Sequence, residues 1–188
     1  MNLVLETIYN RRTCRKFKTR QVERDVLMEL LKAAQFAPSA YNDQNWHFTV
    51  VQNEELLEEL KTLYRQSMLD YGDDFSVKRA NEPDFVPFFG APTLVFISGE
   101  ENSKSKFIEI TCGAAAQNLL LAAESLGIST CLMTGPALMF LRPDRRKIEQ
   151  RLGFPVGYRF TCVVALGYAD FDFPAASPRR DGVVQFIK

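Results

Sequence analysis

Apolar residues recur along the chain in two rhythms, and the changes from one to the other outline the fold. Leu3, Val4, Leu5 and Ile8 fall at helical spacing, which predicts a short first helix over 2–9. Over 23–36, Val26, Leu27, Leu30, Leu31 and Ala34 share one helical face, and Pro38 ends the run. "WHFTVVQ" (46–52) reads as a strand. Asn53 then caps a helix whose first turn holds Glu54 and Glu55 and whose stripe is Leu56, Leu57, Leu60, Leu63 and Tyr64. Further strands are expected at "PTLVFIS" (92–98), "STCLMT" (129–134) and "RFTCVVALGY" (159–168). The helix at 105–126, ended by Gly127, is apolar nearly all round, so it needs cover on most sides, from its own sheet or from a second chain. "PDRRKIEQRLGFP" (143–155) is expected as a surface helix, with Pro143 at its start and Gly153 past its end. Residues 70–90 are acidic and aromatic with two prolines, and are expected as an irregular or partly helical excursion, the candidate lid. The tail "PAASPRRDGVVQFIK" is expected as a loop followed by a short strand-like run. Helices and strands mix without a strict βαβ order, which predicts an α+β class with helices around one central sheet, in a single domain over 1–188.

Composition narrows the function. The 188 residues are 46% hydrophobic and include fifteen Phe, enough for a packed core. Twenty-three basic residues balance twenty-three acidic ones, which argues against a general nucleic-acid binder and its spread basic face. Cys14, Cys112, Cys131 and Cys162 form no C-x-x-C pair, and His47 is the one histidine, too few ligands in too open a spacing for a zinc site. Free thiols in a reducing cytoplasm are the expectation. The first residues carry Glu6 and no continuous apolar run, so no signal peptide is expected there. "AAAQNLLLAAESLG" is too polar to cross a bilayer.

Charge is nonetheless concentrated. Seven Lys or Arg and one Glu lie between residues 11 and 24, led by "RRTCR". Arg11, Arg12 and Arg15, with Arg179 and Arg180 at the far end, could converge on one phosphate, because guanidinium forks grip it bidentately; they could equally be solvated surface arginines. "APSAYNDQNW" (37–46) offers Ser39, Asn42 and Gln44 with no helix to cap, which suits the edge of a polar heterocycle or an ordinary polar turn. "CLMTGP" (131–136) opens a buried strand onto Thr134 and Gly135, where backbone can approach a flat ligand or simply turn. No G-x-G-x-x-G, Walker loop or G-x-S-x-G is present.

Taken in order, "RRTCRKF", "AAQFAPSAYNDQNWHFTVV", "GAPTLVFIS", "GAAAQNLLLAAESLGISTCLMTGP", "LGFPVGYRFTCVVALGY" and the late "PRR" resemble the nitroreductase family of flavin enzymes. The resemblance implies a nitroreductase-like fold: a central, mostly antiparallel sheet in an intertwined homodimer, with FMN at the subunit interface. It implies that Arg11, Arg12 and Thr13 hold the phosphate and ribityl end, with Arg179 or Arg180 completing the clamp and Arg15 at the pyrimidine edge of the ring. Pro38, Ser39, Ala40, Asn42 and Gln44 would come from the other subunit, and Met133, Thr134 and Gly135 would lie by the isoalloxazine. NADH or NADPH would donate electrons to a nitroaromatic, a quinone or a similar acceptor by a ping-pong exchange in which flavin N5, not a side chain, carries the chemistry. The chain departs from the family in having Thr13 where Ser is common, Tyr41 where Gly is common and Asn45 where Pro is common. Tyr41 would line the substrate side. The alternatives are a dehalogenating or flavin-degrading branch of the same fold, and a flavin-binding or redox-sensing protein with little turnover.

Overall fold

A computed structural model describes residues 2–188. Its regular elements are six α-helices, α1 (Leu3–Asn10), α2 (Arg24–Gln35), α3 (Glu54–Tyr71), α4 (Asp74–Asn81), α5 (Ile108–Ser125) and α6 (Arg145–Arg151), and four strands, β1 (Trp46–Val51), β2 (Thr93–Glu100), β3 (Ser129–Met133) and β4 (Tyr158–Gly167). Short 3-10 segments cover Ala40–Asn42, Pro87–Gly90 and Gly135–Leu141. The strands form one sheet in the order β1-β2-β4-β3, and every pairing is antiparallel.

The strand pattern sorts side chains onto two faces. Val95 and Ile97 of β2 and Val164 and Leu166 of β4 pack against Leu27, Leu30 and Ala34 of α2 and Ala115, Ala116 and Leu119 of α5. Leu94, Phe96, Val163 and Ala165 face the other way, against Leu57 and Leu60 of α3, Ile148 of α6, and Met139 and Phe140. Both faces are covered, so β2 and β4 read as unbroken apolar runs, not as an alternation. Asn53 Oδ1 accepts from Leu56 N at 2.8 Å, the expected cap of α3. Helix α5 closes in a Schellman turn: Ile128 N donates to Ala123 O and Gly127 N to Glu124 O, with Gly127 at φ +71°.

Two expectations need correction, while the partly helical course expected for 70–90 is borne out and gains detail. Residues 70–90 are mostly helical: α3 runs on to Tyr71, Gly72 turns the chain at φ +78°, and Asp73 caps α4 through Phe75 N and Ser76 N. Arg65 pins this excursion to α3, donating to Ala80 O and to Phe85 O, its guanidinium 5.0 Å from the Phe85 ring centre. The helix at 143–155 is only Arg145–Arg151, because Leu152 and Phe154 leave the helical path to enter the core. The strand-like run in the tail is not a strand. Its apolar residues need a ladder partner and a face to bury, and within this chain Val183, Val184, Phe186 and Ile187 have neither.

Candidate functional site

The two ends of the chain meet at one end of the sheet. Residues 13–18 run beside β3 and the exit of β4. Thr13 bridges to Thr130, Cys14 N donates to Thr130 O at 2.8 Å, Phe17 bridges to Ala169, and Lys18 N donates to Tyr168 O at 2.8 Å. Asp170 N donates back to Lys16 O, and the Lys16 ammonium lies 2.9 Å from the Asp170 carboxylate. Burial of Phe17 and Cys14 in the lower core locks this register. The tail then turns over the arginines, leaving a groove of about 480 Å³ lined by Arg11, Arg12, Thr13, Arg15, Phe171, Phe173, Pro174, Ala175, Ala176, Ser177 and Arg179. Arg180 is exposed and does not line it.

The groove is cationic and uncompensated. Among the described residues, no carboxylate pairs with Arg11, Arg12, Arg15 or Arg179, whereas Arg79, Arg142, Arg146 and Arg151 carry acidic partners. Helix α1 delivers Arg11 and Arg12 at its C-terminal end, where the helix dipole favours positive charge. Arg12 Nη1 donates to Tyr9 O at 2.6 Å and to Arg11 O at 3.0 Å, satisfying a carbonyl the helix leaves open. Its Nε is buried and has no hydrogen-bond partner. A buried guanidinium N–H without an acceptor carries a desolvation cost that a bound anion would offset.

A second element of the site lies at the end of β3. Met133 is half-buried, Thr134 and Gly135 are exposed, and the 3-10 segment begins at once. A Cβ on Gly135 would sit 2.5 Å from Tyr64 Oη, so the close approach requires glycine here. Tyr64 in turn packs on Phe88, their ring centres 5.3 Å apart. Burial raises the Tyr64 phenol above its ordinary value, the nearby Arg79 opposing weakly.

The loop at 38–44 is separate in this chain. Pro38, Ser39 and Ala40 line a hollow of about 420 Å³ on the outer side of α5, with Ser105, Phe107, Ile110, Thr111 and Ala114. Gln44 faces another hollow, with Trp46 and His47. Neither opens onto the arginine groove. Three residues of this loop hold left-handed backbone, Tyr41 (φ +57°), Asn42 (φ +53°) and Gln44 (φ +48°), a conformation worth about 1–2 kcal/mol of strain for a residue with a side chain. Gln44 N bonds to Ser39 Oγ and Gln44 Nε2 to Asn42 Oδ1, both at 3.1 Å. Tyr41 stands clear at 78% exposure.

Residues 8–168 match the model of the nitroreductase family. The chain belongs to the nitroreductase family. A protein of Archaeoglobus fulgidus, provisionally named NADH dehydrogenase/NAD(P)H nitroreductase, is 30% identical over 182 residues, covering 95% of this chain and 94% of its own length. The crystal structure of a Bacteroides fragilis nitroreductase with bound FMN superposes with a TM-score of 0.91 at 31% identity, over the whole of both chains. An iodotyrosine deiodinase of Thermotoga neapolitana is 25% identical over 193 residues, with 99% of this chain and 98% of that one covered. The nitroreductase-like fold expected from the sequence is therefore the fold observed. The chain's own groove adds residues that the sequence motifs had not singled out. Phe171 and Phe173, their ring centres 4.8 Å apart, form one wall of it; the alternation in "FDF" just before "PRR" was their only signal.

Proposed function

We propose that this nitroreductase-family chain is an FMN-dependent oxidoreductase that passes electrons from NADH or NADPH to a small acceptor, such as a nitroaromatic or a quinone. The observation that carries the proposal is the groove where Arg11, Arg12, Thr13 and Arg15 meet Arg179 without a single carboxylate partner. A phosphate monoester brings nearly two negative charges and several strong acceptors, which is what unpaired guanidinium forks and the orphaned Arg12 Nε lack. When bound, FMN would supply the redox chemistry, accepting reducing equivalents from a nicotinamide and passing them to the acceptor.

The chain's own residues bind and orient. Arg11, Arg12 and Arg179 neutralise the phosphate, and Thr13 offers a hydroxyl beside it. Arg15 supplies positive charge toward the pyrimidine edge, where negative charge accumulates on reduction. Met133, Thr134 and Gly135 present backbone to the ring. No side chain is asked to act as nucleophile or base. Burial pushes the Cys112 and Cys131 thiols up to about 11 and Cys162 to about 12, and lowers His47, the one histidine.

The active form in this proposal is a homodimer. Helix α1 buries none of its residues, and Leu3, Val4, Leu5 and Ile8 are all exposed. On α5, Ile110 is 71% exposed beside Phe107. Exposed apolar side chains grouped in this way support contact with a second copy. A second copy would also bring its Pro38–Gln44 loop, with Ser39, Ala40, Asn42 and Tyr41, to a site that one chain leaves incomplete.

The test is direct. Purified protein should be yellow, or its apoprotein should take up FMN, and NADH or NADPH should bleach it under nitrogen. A colourless protein that refuses added FMN overturns the proposal. The similarity to the Thermotoga neapolitana deiodinase supports a second reading, reductive dehalogenation at the same site. Halide release from a halogenated phenol, measured beside reduction of nitroaromatics, separates the two.

A further inference from the structure

The segment Phe88-Phe89-Gly90 carries three successive left-handed residues, at φ +53°, +56° and +67°. Glycine adopts such backbone freely; two phenylalanines in a row do not. Phe88 explains itself. Its ring is 2% exposed and packs between Tyr64 and Phe96. Phe89 is only half-buried and packs on the margin of the lower core, a place that another large apolar side chain could fill. What its ring does reach is Arg15, whose guanidinium carbon lies 5.9 Å from the ring centre. Arg15 has no carboxylate partner among the described residues, and it lines the cationic groove. Strained backbone kept at a site edge points to a task for the side chain it aims.

We propose that Phe89 is a positioning residue that holds the Arg15 guanidinium at the end of the groove nearest β3, toward the ring of the bound flavin and away from its phosphate. The proposal rests on the FMN assignment above. The contacts describe the path: Arg15 touches Phe89, the adjacent Phe88 packs on Tyr64, and Tyr64 Oη fills the space left by the missing Cβ of Gly135. Among the described residues, Arg11, Arg12 and Arg179 make no comparable contact with an aromatic face. An aromatic face attracts a cation through its quadrupole and leaves the guanidinium edge free to donate, so Phe89 fixes Arg15 without consuming its N–H groups.

The experiment titrates apoprotein with oxidised FMN and, anaerobically, with dithionite-reduced FMN. It compares wild type with Phe89→Leu, Phe89→Tyr, Phe89→Gly, Arg15→Gln and the Phe89→Leu/Arg15→Gln pair. Phe89→Leu keeps bulk and loses the quadrupole; it should weaken binding of reduced FMN about 2- to 5-fold more than that of oxidised FMN. Phe89→Tyr should retain the wild-type ratio. Phe89→Gly relieves the backbone, which offsets part of the lost packing, so it should lose the same discrimination while staying folded. In the Arg15→Gln background, Phe89→Leu should change nothing further. Equal weakening of both redox forms by Phe89→Leu, or an effect undiminished without Arg15, overturns the proposal while leaving the FMN assignment standing. Wild-type protein that binds neither form overturns both.

Discussion

Replacing Arg11 and Arg12 together by Ala should strip the chain of FMN. In the proposed complex each guanidinium makes charge-assisted contact with the phosphate, and such contacts contribute roughly 1.5–3 kcal/mol apiece. Both side chains are only half-buried, so solvent screens part of that sum and about 2–4 kcal/mol for the pair is reasonable. At about 1.4 kcal/mol per decade, the dissociation constant should rise by about 30- to 700-fold. The fold should survive, because α1 buries none of its side chains and the loss of the Arg12 bond to Tyr9 O frays one exposed turn. The assay is quenching of FMN fluorescence by titrated apoprotein, at two salt concentrations, with circular dichroism as the control. Arg180→Ala, which removes an equal charge outside the groove, should stay within about twofold of wild type. A double variant that binds FMN within about threefold of wild type would refute the phosphate assignment, and equal losses for Arg180→Ala would reduce it to general attraction.

Gly135→Ala should lower the melting midpoint by a few degrees and reduce flavin loading, because the new Cβ meets Tyr64 Oη at 2.5 Å; adding Tyr64→Phe should restore both, and failure of that rescue would deny the contact. Hydrogen bonds from Tyr168 and then Arg20 hold the Glu23 carboxyl at about 2, below its ordinary 4.5. A carboxyl depressed by folding stabilises above its unfolded value, and that contribution is lost as pH falls toward the folded one. The urea-midpoint difference between wild type and Glu23→Gln should therefore shrink between about pH 4.5 and 2 and be flat above, and a difference that grew on acidification would contradict it. Ile110→Glu, on the exposed side of α5, should give a folded monomer by light scattering with poor flavin retention; a dimer that persisted would move the interface elsewhere.

Much of this architecture was legible because burial leaves a periodic trace. The stripe of α2 and the unbroken apolar runs of β2 and β4 follow from which faces are covered. Asn53 and Gly127 mark helix ends by mechanisms that act within a few residues. Legibility failed where tertiary contacts decide. Phe88 and Phe89 carry no local signal for left-handed backbone; for Phe88 it goes with burial of its ring between Tyr64 and Phe96. The Arg65 clamp that orders residues 74–85 joins groups distant in sequence. Val183–Ile187 has the β-branched and aromatic residues of a strand, but composition does not supply a partner. At the site, the arginines were conspicuous by density. Their convergence with Arg179 depends on the ladder from Thr13 to Lys18, which no residue pattern announces.

Strand order also bears on the protein's biosynthesis. β4, the last strand in the chain, lies between β2 and β3, so the sheet stays open until residue 167 is available. The segment 11–18 leaves the ribosome well before its partners, yet Thr13, Cys14, Phe17 and Lys18 dock against Thr130, Tyr168 and Ala169, and the arginines beside them are roofed by 171–179. A nascent chain therefore has no pocket for a nucleotide until residues 171–179 have emerged, and cofactor loading must wait until then. Translation and flavin supply then act at different moments.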